Sequence, residues 1–407
     1  MSFFKDLFEK PLDKVEEDSK KEGFLKAIWR ITEGHLVLIR TPKVITKGSV
    51  HVRDGVDLKR VMVTVIFALI PCLLWAMYNM GFQKLSSIRG TNDFILTGLD
   101  PTIFNSLVHG AFHYIPLLAV TYGVGLTIEF TFCAIRDHEV NEGFLVSGFL
   151  IPLIIPPDMP LWMVGVATAF GVIFGKEVFG GTGMNFLNPA LTARAFLFFS
   201  YPTAISGDQV WRAVDKTTDL LVDGYSGATP LGVVAVAERG KDAVQVLADA
   251  GFTFSNMFWG LIPGSNGETS VFMCLLGAAL LLVTKVGSWK IMAATVVGGS
   301  FVGLVLQGFA GETAPAFFNL PFYYHLVMGG FAFGTVFMAT DPVSAAATDM
   351  GKYIYGFLIG AITVVIRVIN PAYPEGMMLA ILFMNMFAPL IDHYVVEANI
   401  KRRLARV

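Results

Sequence analysis

The run V-M-V-T-V-I-F-A-L-I-P-C-L-L-W-A-M-Y-N-M, at residues 61–80, contains no charged residue and is long enough for a helix that crosses a membrane. The rest of the chain has the same character, because 54% of its 407 residues are hydrophobic and only 15% are charged. A water-soluble domain usually carries about 25% charged residues. The sequence therefore predicts an all-α, polytopic integral membrane protein.

Further apolar runs follow this first one, and the sequence predicts about ten membrane spans in total. The later spans lie at roughly residues 112–134, 143–156, 160–177, 190–204, 268–284, 288–308, 320–340, 352–369 and 377–395. Some of them are shorter than the about 20 residues that a straight spanning helix requires. The short runs indicate broken or re-entrant helices.

Basic residues set the predicted orientation of the chain. The positive-inside rule places in the cytoplasm a group that precedes the first span: Lys43, Lys47, Arg53, Lys59 and Arg60. Counting spans from there puts both termini in the cytoplasm and the longest loop in the periplasm. The predicted parts are an N-terminal arm with amphipathic helices at 1–60, a first transmembrane repeat at 61–204, a periplasmic loop at 205–267, a second repeat at 268–397 and a basic tail at 398–407.

The N-terminal arm and the distribution of charge limit the kinds of partner that we expect for this chain. The arm begins with no apolar core of signal-peptide length, so we expect it to stay in the cytoplasm. It would lie on the membrane surface or against a partner, and closing a ligand pocket is the alternative. No basic stripe indicates a nucleic-acid partner. The three cysteines lack a C-x-x-C spacing, and we expect buried free thiols.

The two halves resemble each other weakly, which predicts two inverted repeats of five spans each. Folds of that kind place binding sites at the interface of the repeats, near broken helices. A chance match is the alternative. The paired features are Trp162 with Trp289, Thr168 with Thr295, and the dipeptide Asn188-Pro189 with Asp341-Pro342.

A glycine-rich run, G-G-T-G-M-N-F-L-N-P at 180–189, joins two spans at the predicted cytoplasmic side. Its glycines permit close backbone approach, and the amides of Asn185 and Asn188 offer hydrogen-bond donors and acceptors to a ligand. The same residue types also form a tight turn in which Asn188 caps the following helix. These residues alone leave both interpretations open.

Charged residues inside a membrane are costly, so each acid there is a candidate functional residue. Glu129, Asp341 and Asp392 could each bind a cation, donate a proton at a quinone site, or be satisfied at the interface by a neighbour. Phe333 and Phe337 have i, i+4 spacing and could form an apolar constriction that gates an ion, or simply pack in the core.

Three ring-bearing residues near the longest loop are weaker candidates. His109 and His113 have the spacing of a metal-binding pair on a helix, but no adjacent Glu or Cys completes such a site. Trp211 could stack on an aromatic cofactor or anchor the chain at the lipid head groups.

The longest polar loop contains the run D-G-Y-S-G-A-T-P-L at residues 223–231. Gly224, Gly227 and Pro230 interrupt regular structure and hold the hydroxyl of Thr229 where another molecule can reach it. An ordinary exposed loop would contain the same residue types, so the spacing alone does not decide the role of Thr229.

The chain resembles the B subunits of the bacterial sodium-translocating NADH:quinone oxidoreductases from about residue 40 to the C-terminus. The matching blocks are H-V-R-D-G-V-D-L-K-R at 51–60, H-E-V-N-E-G-F at 138–144, K-E-V-F-G-G-T-G-M-N-F-L-N-P-A-L at 176–191, D-G-Y-S-G-A-T at 223–229, F-M-A-T-D-P-V-S-A at 337–345 and N-P-A-Y-P-E-G-M-M-L-A-I-L-F at 370–383.

The resemblance implies two flavins. FMN would be attached through a phosphoester bond to the threonine of an S-G-A-T motif, and riboflavin would be bound noncovalently. The implied residues are Ser226, Gly227, Ala228 and Thr229 for FMN, and Asn185 and Asn188 for riboflavin.

The resemblance also implies a six-subunit respiratory pump in the bacterial inner membrane, with the A, C, D, E and F subunits as partners. Electrons from NADH would pass through the partners to FMN, riboflavin and ubiquinone, coupled to outward Na⁺ transport. A separate flavin transferase would attach the FMN. Three alternatives remain: the D subunit of an Rnf complex, a passive urea-channel-like transporter, and a structural scaffold. The long N-terminal arm favours the quinone reductase over the Rnf protein.

Overall fold

The computed structural model describes residues 58–89, 102–136, 143–208, 210–213, 227–370 and 375–406. All regular elements within these ranges are helices, which confirms the predicted all-α class. Six of them are long and apolar enough to cross a membrane. Most of the predicted arm at 1–60 lies outside the described residues, as does Ser226 of the S-G-A-T motif.

The first half of the chain forms five apolar helices in sequence. Helix α3 is short because residues 154–160, which include three prolines, do not continue it, and a buried stretch follows instead. The side chain of Asn188 begins α5, with Pro189 at its first position. The helices are α1 (Leu58–Arg89), α2 (Thr102–Arg136), α3 (Gly143–Leu153), α4 (Leu161–Gly175) and α5 (Pro189–Ser200).

Four short helices lie between the two halves, and the last three of them form a small layer of their own. The apolar residues of these three pack with the ends of later helices in a second hydrophobic cluster, whereas Ile205 of the first short helix belongs to the main core. Threonine or aspartate side chains begin three of them, as expected for N-caps. The helices are α6 (Pro202–Ile205), α7 (Pro230–Val236), α8 (Ala243–Asp249) and α9 (Phe254–Trp259).

The second half contains a helix that is interrupted and then widened. Gly329, at φ 60°, separates two short helices, and the second continues as a π-helical turn over Gly334–Met338. This broken segment lies in the predicted span 320–340. The helices are α10 (Val271–Val283), α11 (Trp289–Gln307), α12 (Phe322–Val327), α13 (Phe331–Phe333), α14 (Asp349–Ile369) and α15 (Met377–Leu404).

Small residues bring α11 and α14 into close contact. A Cβ atom on Gly360 would overlap the carbonyl oxygen of Thr295, and one on Gly298 would overlap the carbonyl oxygen of Phe357. Helices in membranes often pack through such small residues, because backbones then approach closely. This helix pair is the most extensive packing contact of the second half.

Helices α1 and α10 pack against each other and join the two halves. A Cβ atom on Gly277 of α10 would overlap the ring of Phe337 and approach the carbonyl oxygen of Ala68 in α1. The sulfur atoms of Cys72 and Cys274 lie 3.9 Å apart at the same contact. All three cysteines are buried, as expected for structural thiols.

The helix ends define two opposite faces. What we call the Asp341 face gathers the starts of α1, α3 and α5 with residues 286–287 and 340–343, which together line one cavity. What we call the Thr229 face carries the short helices α6–α9 and residues 308–321. A hydrogen bond from Asn79 Nδ2 to the Ile262 carbonyl, at 3.0 Å, ties the later part of α1 to the second face.

Candidate functional site

Thr229 begins helix α7. Its Oγ1 accepts a hydrogen bond from the backbone N–H of Gly232 at 3.1 Å, and Pro230 occupies the first helical position. Threonine followed by proline is a favourable way to start a helix. Thr229 is only partly buried and lines a small cavity. The fold therefore fixes this hydroxyl at the surface of the Thr229 face.

The motif residues before Thr229 pack tightly. A Cβ atom on Gly227 would overlap the carbonyl oxygen of Asp208 and the guanidinium of Arg212. Only glycine fits this contact, which places the positively charged guanidinium of Arg212 beside a residue two positions before Thr229. Ala228 is buried.

Trp211 lies in the same segment as Arg212 but is only 6% exposed. The carbonyl oxygen of Ala213, two residues later, lies 3.2 Å from His109 Nε2. His113 Nδ1 lies 3.0 Å from the carbonyl oxygen of His109, so this histidine pair is engaged with backbone oxygens. Within the described ranges, no group of three metal-ligating side chains includes them.

A buried ionic cluster lies directly beneath the Thr229 cavity. Arg194 of α5 donates from Nη1 to Glu268 Oε1 at 2.6 Å and from Nη2 to Ser265 Oγ at 3.3 Å, and it also binds Glu375 Oε2. The side chains of Arg194 and Glu268 are 5% and 7% exposed. Sequence reasoning missed this cluster, although a lone arginine within an apolar span was a usable signal.

A second buried arginine stabilises the break between α12 and α13. Arg367 of α14 donates to the carbonyl oxygens of His325 and Met328, the latter at 2.7 Å. These carbonyls lie where the helix is interrupted, and a buried polar group without a partner would be costly. Arg367 Nε also lies 3.5 Å from the backbone oxygen of Glu375.

On the opposite face, Asn188 meets Asp341. Asn188 Oδ1 accepts from the backbone N–H groups of Ala190 and Leu191 at 3.0 and 3.3 Å, and its Nδ2 donates to Asp341 Oδ2 at 3.3 Å. Asp341 also accepts from Ser344 Oγ at 2.8 Å. Asn188 thus makes the helix cap that the sequence allowed, and it joins the two halves of the chain.

The cavity beside this pair is small. It measures about 70 Å³ and is lined by Lys176, Asn185, Asn188, Phe337 and Asp341 among others. Cavities that bind organic cofactors usually measure about 300–1,000 Å³. Asn185 Nδ2 is also engaged, donating to the Leu187 carbonyl at 2.9 Å. Without a ligand, the cavity has room for a few waters or a small cation.

The other two candidate acids have firm partners. Glu129 forms an ion pair with Lys176, which also lies 3.7 Å from Glu177 Oε1. Asp392 accepts hydrogen bonds from the backbone N–H groups of Ala347 and Thr348, at 2.6 and 3.0 Å, and so stabilises the start of α14. Both carboxylates have partners among their neighbours, as in the structural alternative that the sequence left open.

Phe333 and Phe337 are both buried, with ring centroids 4.9 Å apart. The chain segment that carries them runs from one cavity to the next. Gly329 lines the cavity beneath Thr229, Gly334 lines a cavity of about 10 Å³ under the ionic cluster, and Phe337 lines the cavity beside Asp341. Three cavities therefore follow one segment across the molecule.

The model of the NQR2, RnfD, RnfE family matches residues 45–401. This chain belongs to the NQR2, RnfD, RnfE family. The match covers both halves, the loop with Thr229 and the cavities described above.

Members of the family from three bacteria are similar to this chain over nearly their whole length. Proteins from Chromohalobacter salexigens, Ectopseudomonas mendocina and Azotobacter vinelandii are each 47% identical to it. The alignments cover 97% of this chain and 95%, 98% and 98% of those proteins. Each of the three is named as the B subunit of a Na(+)-translocating NADH-quinone reductase.

A larger cavity of this family member lies between the two halves, on the side of α5 and α15. It measures about 670 Å³ and is almost entirely apolar. Its lining includes Phe170, Phe196, Phe199, Leu382 and Met386. Its volume falls in the range that organic molecules require.

Proposed function

We propose that this chain is the membrane subunit of a Na⁺-translocating NADH:quinone reductase and carries FMN on Thr229. The names of its relatives support the complex, and the fixed hydroxyl of Thr229 at the start of α7 supports the attachment point. The A, C, D, E and F subunits, a quinone and a flavin transferase are the partners that this function requires.

The residues around Thr229 suit a phosphoester. The flavin transferase would join Thr229 Oγ1 to the phosphoryl group of FMN, taken from a flavin dinucleotide whose pyrophosphate bond breaks, with AMP as the leaving group and the hydroxyl proton released. The Arg212 guanidinium beside Gly227 would supply positive charge near that phosphate. Flavin bound there supplies one-electron and two-electron redox chemistry. The chain itself fixes the position of the attachment atom and holds the preceding segment against Arg212.

The cavities along residues 329–341 suit the passage of a small cation. Asp341 provides carboxylate oxygen atoms at one end, and Glu268 with Glu375 provides them at the other. Phe333 and Phe337 form an apolar constriction between these ends. We propose Na⁺ as the ion because the relatives are named for its translocation.

The apolar cavity between α5 and α15 is our proposed site for the quinone. It opens among helices that face lipid, where a hydrophobic quinone is dissolved, and its volume of about 670 Å³ is sufficient. We propose Asn185 and Asn188, which line the cavity beside Asp341, as the residues that contact riboflavin.

We propose ten spans in two inverted halves of five, with both termini in the cytoplasm and the Thr229 face in the periplasm. The packing of α2 on α4 and of α4 on α5 has counterparts in the second half, where α11 packs on α14 and α14 on α15. Helices α1 and α10, the first of each half, also meet. In this pairing, Trp162 and Trp289 do not occupy equivalent helices, so the Trp–Thr match does not mark the repeat.

The test is covalent flavin fluorescence of the chain after denaturing electrophoresis, in cells that co-express a flavin transferase. Thr229→Val should abolish the fluorescence, because the attachment oxygen is gone. The control is Thr253→Val, since Thr253 caps the neighbouring helix α9 in the same way, accepting from Asn256 N–H at 3.2 Å. Each variant loses a cap worth about 0.5–2 kcal/mol, so only the Thr229 variant should lose flavin.

A fluorescent Thr229→Val band would contradict the attachment point. A dark wild-type band, with the transferase shown to be active on another substrate, would contradict the flavin-carrying function. The second result would leave a passive channel, which needs no flavin, as the better interpretation of the three cavities.

A further inference from the structure

The cluster of Arg194, Glu268 and Glu375 has no part in attaching a flavin to Thr229. It brings together side chains from α5, from the loop before α10 and from the residue before Gly376 and α15. Buried ion pairs are generally no more stable than well-packed apolar residues. Stability alone therefore gives no reason for two carboxylates to share one guanidinium at this depth.

The loop before α10 adds further oxygen atoms to the cluster. Ser265 and Thr269 are each 4% exposed, and both line the cavity beneath Thr229 together with Glu268 and Glu375. Thr269 Oγ1 has no hydrogen-bond partner among the residues that the structure describes. A buried polar atom without a partner is rare and indicates a missing ligand or water. Here it lies in a cavity lined by two carboxylates.

The size of the cavity restricts the occupant. It measures about 20 Å³, and one water requires about 10–15 Å³ by this kind of measure. A monatomic ion or a single water fits, whereas a phosphate or an organic cation does not. Oxygen atoms from carboxylates, hydroxyls and backbone are the ligands that hard cations prefer.

The charge of the surroundings indicates a monovalent ion. With both carboxylates ionised, Arg194 and Arg367 balance Glu268 and Glu375. Arg367 is held in place by the carbonyl oxygens of His325 and Met328. A monovalent cation in place of the Arg194 guanidinium preserves neutrality, whereas a divalent cation leaves an excess positive charge in a buried site, which is costly.

The broken helix lies close to the same carboxylate. A Cβ atom on Gly330 would come within 2.8 Å of the Glu268 carboxyl carbon, so only glycine permits this approach. Unwound helix segments provide backbone oxygens for alkali ions in several membrane transporters. The cluster is therefore placed where an ion that follows residues 329–341 would reach the Thr229 face.

We propose that Glu268 and Glu375, with Ser265 and Thr269, form a binding site for one alkali cation. In the present structure the Arg194 guanidinium pairs with both carboxylates, and it competes with the cation for them. This inference rests on the proposed function only in naming Na⁺ as the physiological ion.

Removal of the guanidinium tests this competition. In the full-length chain purified in detergent, Arg194→Gln leaves the buried carboxylate of Glu268 and the partly buried carboxylate of Glu375 without their guanidinium, and they should take up Na⁺. Its unfolding midpoint, followed by tryptophan fluorescence, should rise by about 3 °C or more between about 1 and 100 mM NaCl, at constant ionic strength in choline chloride. The wild type should shift by less than about 1 °C, because Arg194 competes for the site.

Two variants isolate the effect. Arg194→Gln with Glu375→Gln should lose the Na⁺ response, because one carboxylate is gone. Lys290→Gln removes the Lys290–Asp349 ion pair on the other face and should give no response, which controls for a general effect of lost positive charge. If Arg194→Gln does not fold, Arg194→Lys is the substitute. A lysine cannot bridge both carboxylates, so we expect a Na⁺ response larger than that of the wild type and smaller than that predicted for Arg194→Gln.

An Arg194 variant that unfolds at the same temperature in NaCl and choline chloride would overturn the proposal, since a carboxylate would then have been neutralised by a proton. An equal response from Lys290→Gln would overturn it as well. The covalent flavin of each preparation is measured separately. Fluorescence without a Na⁺ response refutes only the cation site, and a Na⁺ response without flavin refutes only the flavin-carrying function.

Discussion

At the scale of single residues, Gly227 fixes the position of the backbone that leads into Thr229. We expect Gly227→Ala to reduce covalent flavin at least about tenfold, because the new Cβ atom would overlap Asp208 and Arg212 and displace the segment. Gly311→Ala is the matched control on the same face, since no atom lies within 4 Å of its Cβ position. Both are scored by in-gel fluorescence, and normal labelling of Gly227→Ala would show that the contact with Arg212 is dispensable.

The sequence identified residues whose neighbours are local and missed those whose partners are distant. The cap made by Asn188 depends on the next three residues, and the sequence allowed it. Arg194 binds partners 74 and 181 positions later in the chain, and no local pattern reveals that pairing. Asp341 stood out in the sequence as an acid within an apolar segment, but its hydrogen bond to Asn188 depends on the fold of both halves.

At the scale of helices, glycines set the distance between α11 and α14. We expect Gly360→Ala to destabilise the protein by about 1–3 kcal/mol, because its Cβ atom would overlap the Thr295 carbonyl oxygen in a well-packed contact. Gly123→Ala in α2 should be neutral or slightly stabilising, since its Cβ position is open and alanine favours helix. Thermal unfolding of the two variants side by side measures the difference, and an unchanged Gly360→Ala midpoint would contradict tight packing.

Hydropathy predicted the positions of the helices. It predicted that some helices are interrupted but not where the interruptions lie. Each apolar run in the sequence coincides with described helical residues, because burying apolar side chains away from water is what fixes their positions. The break at Gly329 and the π-helical turn after it lie inside the single predicted span 320–340. Arg367, from another helix, stabilises that break, so the information for it lies elsewhere in the chain.

At the scale of the whole molecule, the proposed orientation can be tested with introduced cysteines. Cys72, Cys133 and Cys274 are all buried, so the wild-type chain should give little background. In intact spheroplasts, a membrane-impermeant maleimide should label Gly311→Cys at once. It should label Arg406→Cys only after the membrane is permeabilised. The reverse pattern would place the Thr229 face in the cytoplasm and contradict the proposed direction of transport.

The π-helical turn over Gly334–Met338 contains one more residue than an α-helical turn would, and it lies in the segment that lines the cavities. If that surplus residue moves one turn along the segment, every side chain it passes rotates by about 100° about the helix axis, while both ends of the segment stay in place. Phe337 and Met338 lie within this turn. Movement of the extra residue along the helix would thus change which side chain faces the proposed ion path without any rigid-body motion of the surrounding helices.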